Sequence, residues 1–319
     1  MMLWKTNRLC NFRCRYCFCS KAELSREHPR VGRYSARRIA RCFDRTERPW
    51  WILLTGGEPF LYPNFIGLCR ELTRNHFLSI NTNNSTFNAV RFADEIDPRR
   101  MYGLNVSLHL AELERTKKTG RFLDQALYFQ KKGFPVCVEY VAYPPDFARI
   151  DRDLRWLKGC GLRFVNLKVY QGVYRSKAYP WAYTPEERDF FRRKALDPRE
   201  MDFIEKKFAY LGKACRAGRD LLFMNMEGNI RRCPGSAKSY GNFLDGSYSL
   251  DRTPRPCPFP RCPSPWIGRD YAGAQRMGIP ATLREMIRQG LPFIVNKERM
   301  RMTRNSLRNR LRVWRIGGE

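Results

Sequence analysis

The sequence predicts an α/β fold: a partial (β/α)6 TIM-like barrel followed by a small Cys-rich C-terminal module. Two observations carry this expectation. From about residue 49 to 170, short β-rich segments alternate with longer amphipathic ones, the rhythm of βαβ units around a parallel sheet. From 213 to 266 the chain is instead rich in Cys, Pro and Gly and poor in long periodic runs, the composition of a module held by something other than a hydrophobic core.

The elements follow in order. A first strand is expected at Leu3–Arg8 and a helix at Ala36–Cys42. Trp50–Thr55, Leu78–Thr82, Tyr102–His109, Val136–Tyr143 and Phe164–Tyr170 read as strands, and Asn64–Arg74, Asn88–Glu95, Gly120–Lys132 and Arg152–Cys160 as the helices between them. Six βα units are too few to close the eight-stranded barrel, so a partial barrel is expected. Near residues 175 to 200 the alternation stops, with Tyr179-Pro180 and Thr184-Pro185 as breakers before an acidic-basic helical stretch. The segment 296–316 reads as a basic amphipathic helix with Met300, Leu307, Leu311 and Trp314 on one face, either docked on the barrel or facing a membrane or nucleic acid. The expected domains are a barrel over 1–195, a Cys-rich module over 205–270 and a helical basic tail over 271–319.

Bulk properties bound the function. A chain of 319 residues with 43% hydrophobic content can bury one large core plus an appendage. No run of eighteen or more apolar residues occurs, so no transmembrane segment is expected, and the N-terminus lacks a signal-peptide pattern, which points to the cytoplasm. In that reducing compartment twelve cysteines argue for metal ligands rather than a disulfide framework. Cys42, Cys69, Cys137 and Cys160 stand alone in helix or strand patterns and are expected in the core. The formal net charge of +29 suits contact with nucleic acid, anionic lipid or acidic substrates, or plain solubility.

Two cysteine groups carry the chemistry. In Cys10-Asn-Phe-Arg-Cys14-Arg-Tyr-Cys17 the spacing lets one loop offer three thiolates to one centre, and three ligands on a four-iron cube leave one iron open. Zinc is the alternative, although no nearby histidine completes a structural site, and Cys19 lies too close to Cys17 to ligate with it easily. Gly56-Gly57-Glu58-Pro59 follows an apolar strand; glycines there permit close backbone approach, and carbonyl or carboxylate oxygens can accept from an ammonium group. Farther on, Cys215, Cys233, Cys257 and Cys262 offer four thiolates, enough to saturate a zinc ion or a second iron–sulfur cluster. Met224–Arg231 reads as a hairpin turning at Glu227-Gly228-Asn229.

The three-cysteine motif, with Tyr16 just before its last cysteine, and the Gly-Gly-Glu-Pro segment resemble the signature of the radical S-adenosylmethionine (SAM) superfamily. The later cysteines resemble its twitch domain, a shortened SPASM domain. Pro263 and Pro265 stand where the longer SPASM pattern has more cysteines. The resemblance implies a [4Fe–4S] cluster on Cys10, Cys14 and Cys17 and an auxiliary [4Fe–4S] cluster on Cys215, Cys233, Cys257 and Cys262. It further implies SAM contacts from Tyr16, Gly56, Gly57, Glu58, Pro59, Asn83, Ser107, His109 and Lys168, and reductive SAM cleavage to a 5′-deoxyadenosyl radical. A one-electron donor such as flavodoxin or ferredoxin follows, with a peptide or small polar metabolite as substrate. Only nine residues precede Cys10, with no separate peptide-recognition domain expected there. Two other readings stand beside this: an RNA-modifying radical SAM enzyme that uses its basic surface, and a non-catalytic zinc or iron–sulfur nucleic-acid-binding protein. Neither the catalytic acid or base nor the reaction after hydrogen abstraction is legible.

Overall fold

The computed structural model describes residues 1–19, 21–24, 31–86, 89–197, 199–206 and 209–262. The expected tail over 271–319, including the helix with Met300, Leu307, Leu311 and Trp314, lies outside the described residues, as do Pro263 and Pro265. Six parallel strands form the frame: β1 (Met2–Lys5), β2 (Trp51–Thr55), β3 (Phe77–Thr82), β4 (Met101–Leu108), β5 (Val136–Ala142) and β6 (Val165–Val169). Each pairs with the next in sequence order. Every crossover therefore steps one strand in the same direction, which curves the sheet as in a barrel; a doubly wound sheet would reverse. The crossovers hold α1 (Lys21–Leu24), α2 (Ala36–Asp44), α3 (Phe65–Thr73), α4 (Ala89–Glu95), α5 (Leu110–Arg115), α6 (Thr119–Lys131) and α7 (Ile150–Gly159). The partial (β/α)6 barrel expected from sequence is what these elements build.

Burial alternates along the strands, as a two-faced pleat requires. Val136, Val138, Tyr140 and Ala142 of β5 and Leu104, Val106 and Leu108 of β4 enter the core with Phe122, Phe129, Leu154 and Leu157 of the helices. The residues between them, including Ser107, Cys137, Glu139 and, on β6, Lys168, are half-buried on the opposite, concave face. Of the cysteines expected in the core, Cys42 and Cys69 are buried, while Cys137 and Cys160 keep partial exposure.

After β6 comes a hairpin, β7 (Gly172–Tyr174) and β8 (Lys177–Tyr179), then α8 (Pro185–Lys194) and α9 (Arg199–Ile204). Thr184-Pro185, expected as a break, starts α8. The Thr184 hydroxyl accepts from Glu187 N–H at 3.3 Å and Glu187 returns the bond to Thr184 N–H at 2.8 Å, a capping box.

The remaining strands are β9 (Ala214–Cys215), β10 (Leu222–Met224), β11 (Asn229–Arg231), β12 (Ser239–Asn242), β13 (Ser247–Tyr248) and β14 (Arg255–Pro256). The hairpin read at 224–231 is present as β10 and β11, turning at Gly228 with φ +89°. One expectation is corrected. The Cys-rich stretch is not without a hydrophobic core, because β10 adds in parallel to β1 and produces one ten-stranded sheet, β13-β12-β11-β10-β1-β2-β3-β4-β5-β6. Leu222, Met224, Ile230, Phe243 and Leu244 are buried in the barrel's own core. Strands of two to four residues are too short to display a period, so their contribution was hidden in the sequence. A smaller cluster, Ala217, Leu221 and Cys233 packed by Met1, Leu3, Cys215 and Phe259, closes the other part.

Phe43 of α2 ties the two parts together. Fully buried, it meets Phe243 at 4.7 Å, Trp50 at 6.1 Å and His76 at 5.6 Å between ring centroids. Phe43→Ala is expected to cost about 3–5 kcal/mol and to lower Tm by roughly 6–20 °C in a thermal melt. A loss below about 1 kcal/mol would mean that β10 to β13 are not seated on α2.

Candidate functional site

The first cysteine group lies in the loop that leaves β1, at the C-terminal ends of the parallel strands, where α/β barrels place their active sites. Backbone bonds set the loop: Cys10 N–H donates to Leu24 O at 3.2 Å and Cys17 N–H to Cys14 O at 3.1 Å. Arg13 N–H donates to Glu112 Oε2 of α5 at 3.0 Å, and the Arg13 guanidinium donates to the carbonyls of Cys10 and Phe12. Burial pushes the Cys10 thiol up and the Cys14 thiol up to about 12, and the neighbouring Cys10 further opposes ionisation of Cys14. Cys19, set aside as a bystander in the sequence, is buried beside the group: Lys5 Nζ lies 3.5 Å from its sulfur. A hydrogen bond from Cys17, with Lys5 nearby, lowers the Cys19 thiol to about 6.

The Gly-Gly-Glu-Pro segment leaves β2 beside this loop, and the two backbones meet directly. Gly57 N–H donates to Asn7 O at 3.1 Å and Glu58 N–H to Leu9 O at 2.8 Å, while Asn7 Nδ2 returns a bond to Glu58 O at 3.0 Å. A Cβ on Gly57 would stand 2.3 Å from Leu9 O, and one on Gly56 would stand 2.7 Å from Asn7 O. Glycine is therefore required by the approach of the cysteine loop itself. The Glu58 carboxylate, expected to face an ammonium group, turns inward. It is 1% exposed and accepts from Thr82 Oγ1 at 2.7 Å, Asn83 N–H at 2.7 Å and Phe60 N–H at 3.1 Å. Burial outweighs these donors and raises its pKa to about 7.

Asn83, at the end of β3, belongs to a closed polar knot. Its Nδ2 donates to Asn11 Oδ1 at 2.8 Å, Asn11 Nδ2 donates to Ser85 Oγ at 2.9 Å, and Ser85 Oγ donates back to Asn83 Oδ1 at 2.7 Å. The same Asn83 amide lies 4.0 Å from Cys10 Sγ. At the end of β4, His109 Nδ1 is 2.9 Å from the Tyr16 hydroxyl, and burial holds its pKa down to about 4, so the ring is neutral near pH 7. Ser107 pairs in register with Glu139. Lys168, expected among the SAM contacts, lies 3.6 Å from Glu139 Oε1 and 3.4 Å from Oε1 of the wholly buried Glu200.

The second cysteine group is only partly gathered. Cys215 on β9 is opposite Arg255 of β14, Cys257 follows β14 and bonds Gly212 and Lys213 through its backbone, and Cys233 shares the small apolar cluster with Cys215. Burial raises the Cys233 thiol, and N–H donors from Gly235 and Ser236 oppose that shift.

Among the described residues no set of three or more His, Cys, Asp or Glu side chains is gathered around a single-ion site. The chemistry of the first donor set fits a four-iron cube: three soft thiols on one loop, at the mouth of the barrel, with none of the loop's own histidine or carboxylate among them. Two features went unseen in the sequence: the inward-turned carboxyl of Glu58, and a wall of tyrosines around Tyr143. Ring centroids of Tyr16, Tyr170 and Tyr174 lie 5.3, 5.2 and 5.6 Å from that of Tyr143. Aromatic spacing in sequence hints at neither.

Glu58 supplies a pH test. Its folded pKa of about 7 exceeds the ordinary 4.5, so the native state holds the proton more tightly. Stability tied to this carboxyl is present below the ordinary pKa and is lost as pH rises to about 7. Urea unfolding of wild type and Glu58→Gln between pH 4.5 and 8 is expected to show wild-type stability falling relative to the variant by about 3 kcal/mol. A pH-independent difference would mean that the carboxyl is ionised throughout.

Residues 4–157, just under half of the chain, match the model of the Radical SAM superfamily. A solved structure described as native anSMEcpe with bound AdoMet is 15% identical, covers 77% of this chain and 78% of its own, and superposes with a TM-score of 0.56. Streptococcus suis SuiB is 16% identical, with 78% of this chain and 65% of its own covered and a TM-score of 0.54, so the chain spans slightly less than two thirds of that protein. No curated protein matches. At these identities the structures bear on fold alone, and they share it. The matched residues 4–157 span the first five of the barrel's six βα units.

Proposed function

We propose that the protein is a radical SAM enzyme in which Cys10, Cys14 and Cys17 hold a [4Fe–4S] cluster with one iron left for SAM. The observation that carries this reading is the direct backbone contact between the three-thiol loop and the Gly56–Pro59 segment at the mouth of a partial barrel. With SAM bound, such a cluster supplies the electron that cleaves the sulfonium reductively and generates a 5′-deoxyadenosyl radical able to take a hydrogen atom from substrate.

The chain's own residues bind and orient. Arg13 with Glu112, and the Asn11, Asn83 and Ser85 knot, hold the cysteine loop in place. Both Glu58 carboxylate oxygens already have protein donors, so main-chain carbonyls of residues 56–59 are the acceptors for the SAM ammonium. Tyr16, Ser107 and neutral His109 border the ribose and carboxylate. Lys168, compensated by two glutamates, serves the substrate side of the mouth.

Cys215, Cys233, Cys257 and Cys262 hold an auxiliary [4Fe–4S] cluster, with zinc as the alternative metal, and the module over 205–270 braces it beside the barrel over 1–195. The electron donor is a flavodoxin or ferredoxin in a reducing cytoplasm; no helix among the described residues is long and apolar enough to cross a membrane. The substrate is a peptide or small polar metabolite. A solved structure of anSMEcpe with bound AdoMet and the Cp18Cys peptide, at 15% identity, supports the peptide option. One observation favours RNA instead: Arg38 and Arg41 of α2, and Arg45 just after it, line a cavity of about 220 Å³ with Cys42, Leu244 and Asp245.

Anaerobic iron and sulfide counting tests this reading, with SAM cleavage followed in parallel. Wild type is expected to hold about eight irons and the Cys10, Cys14, Cys17 triple-Ala variant about four, with 5′-deoxyadenosine formed by wild type alone. Iron near zero with bound zinc and no cleavage would replace it with a zinc-stapled binding protein.

A further inference from the structure

The concave face of β4 to β6 carries more than the proposed SAM contacts need. Its lower rung is charged: Lys168 sits between Glu139 and Glu200, at 3.6 and 3.4 Å. Glu200 is fully buried; its Oε2 accepts from Val169 N–H at 2.9 Å, while its buried Oε1 faces Lys168 and has no hydrogen bond. The upper rung is aromatic. Tyr143 directly follows β5, and Tyr16, Tyr143 and Tyr174 keep part of their surface open with Tyr170 buried behind them. The hairpin that brings Tyr174 is tied to Tyr170, whose hydroxyl donates to Val173 O at 3.2 Å and whose ring lies close against Gly172.

This combination selects a ligand by elimination. A phosphate or carboxylate would face the Glu139 carboxylate, with Glu200 behind it already engaging Lys168. A cation would compete with Lys168, which already occupies the space between the two carboxylates. An extended peptide that adds to a sheet needs free N–H groups on the edge strand. On β6 the Val169 N–H is taken by Glu200, and just beyond it the Tyr170 N–H is taken by the Tyr183 hydroxyl, both at 2.9 Å. A neutral ring suits every group present: it has C–H faces for phenol rings and hydroxyls that both donate and accept.

We propose that this corner of the barrel mouth is a glycosyl-binding subsite, in which Tyr143 and Tyr174 stack on a pyranose ring while Glu139 and Lys168 hydrogen-bond its hydroxyls. The substrate of the radical chemistry is then a sugar or sugar conjugate. Its catalytic meaning rests on the radical SAM reading, whereas the binding does not.

Saturation-transfer NMR on the anaerobically purified, cluster-loaded protein tests the proposal, using methyl glycosides of glucose, galactose, mannose and N-acetylglucosamine, with the tripeptide Ala-Tyr-Ala as comparator. Transfer to ring C–H protons of at least one glycoside is expected. Its affinity should fall about tenfold in Tyr143→Ala and Tyr174→Ala, fall in Lys168→Met, and persist in Tyr143→Phe, which guards against misfolding. No transfer from any glycoside, transfer indifferent to the tyrosine changes, or tyrosine-dependent binding of the tripeptide alone would overturn it. SAM cleavage by the same sample separates the two claims. Cleavage without glycoside binding removes the subsite alone, and glycoside binding without cleavage removes the radical reading but leaves the subsite standing.

Discussion

The site depends on one contact, the meeting of the backbone at residues 7–9 with that of Gly56, Gly57 and Glu58. Two N–H groups of the second segment are satisfied by carbonyls of the first, which continues the β1–β2 pairing beyond the strands. The approach leaves no room for a Cβ at either glycine. Glu58 then reaches past the junction to the end of β3, where Thr82 and Asn83 bind it. The first cysteine loop is thereby fixed to three strands, although it contains almost no regular structure of its own.

β1 is the hub of the larger architecture. It pairs with β2 on one side and β10 on the other, so the barrel and the Cys-rich module share one sheet. Because β1 and β10 are parallel, Cys10 leaves the C-terminal end of β1, whereas Cys215 and Cys233 pack with Met1 and Leu3 near its start. The strand is a spacer of about 13 Å, at 3.3 Å per residue. Two cysteine groups held by opposite ends of one buried strand keep a fixed separation, which a flexible linker between domains would not give.

The barrel was legible because each crossover is local. The runs around Trp51–Thr55 and Val136–Ala142 announce strands by composition, and their flanking helices announce themselves by period. The pairing of β10 with β1 was not legible, since it joins residues separated by some two hundred positions through a strand of three residues. The same limit applies to single side chains. Glu58 reads as a ligand-facing carboxylate until β3 is placed beside it, and Lys168 reads as a SAM contact until Glu200 arrives from α9. The cysteine motif was readable because its three members share one loop. The four later cysteines are spread along the chain, Cys215 on β9, Cys233 just after β11, and Cys257 and Cys262 after β14, so the sequence shows their number but not which of them meet.

Charge at the mouth runs against the chain as a whole. A protein with a formal charge of +29 buries Glu58 and Glu200 behind this concavity and sets Glu112 and Glu139 beside it. Beyond the burial that mainly raises them, the Cys10 thiol is opposed by the charge of Glu58 and the Cys14 thiol by that of Cys10 and Glu112. Left to themselves Cys10 and Cys14 stay protonated near neutral pH, so neither is suited to act as a free nucleophilic thiolate. Metal binding reverses the balance, since a bound cation stabilises the thiolate directly and more strongly than distant carboxylates oppose it. A pair of thiols that is protonated without a metal and ionised with one suits a cluster site, and the chain's overall excess of basic residues does not change that local balance.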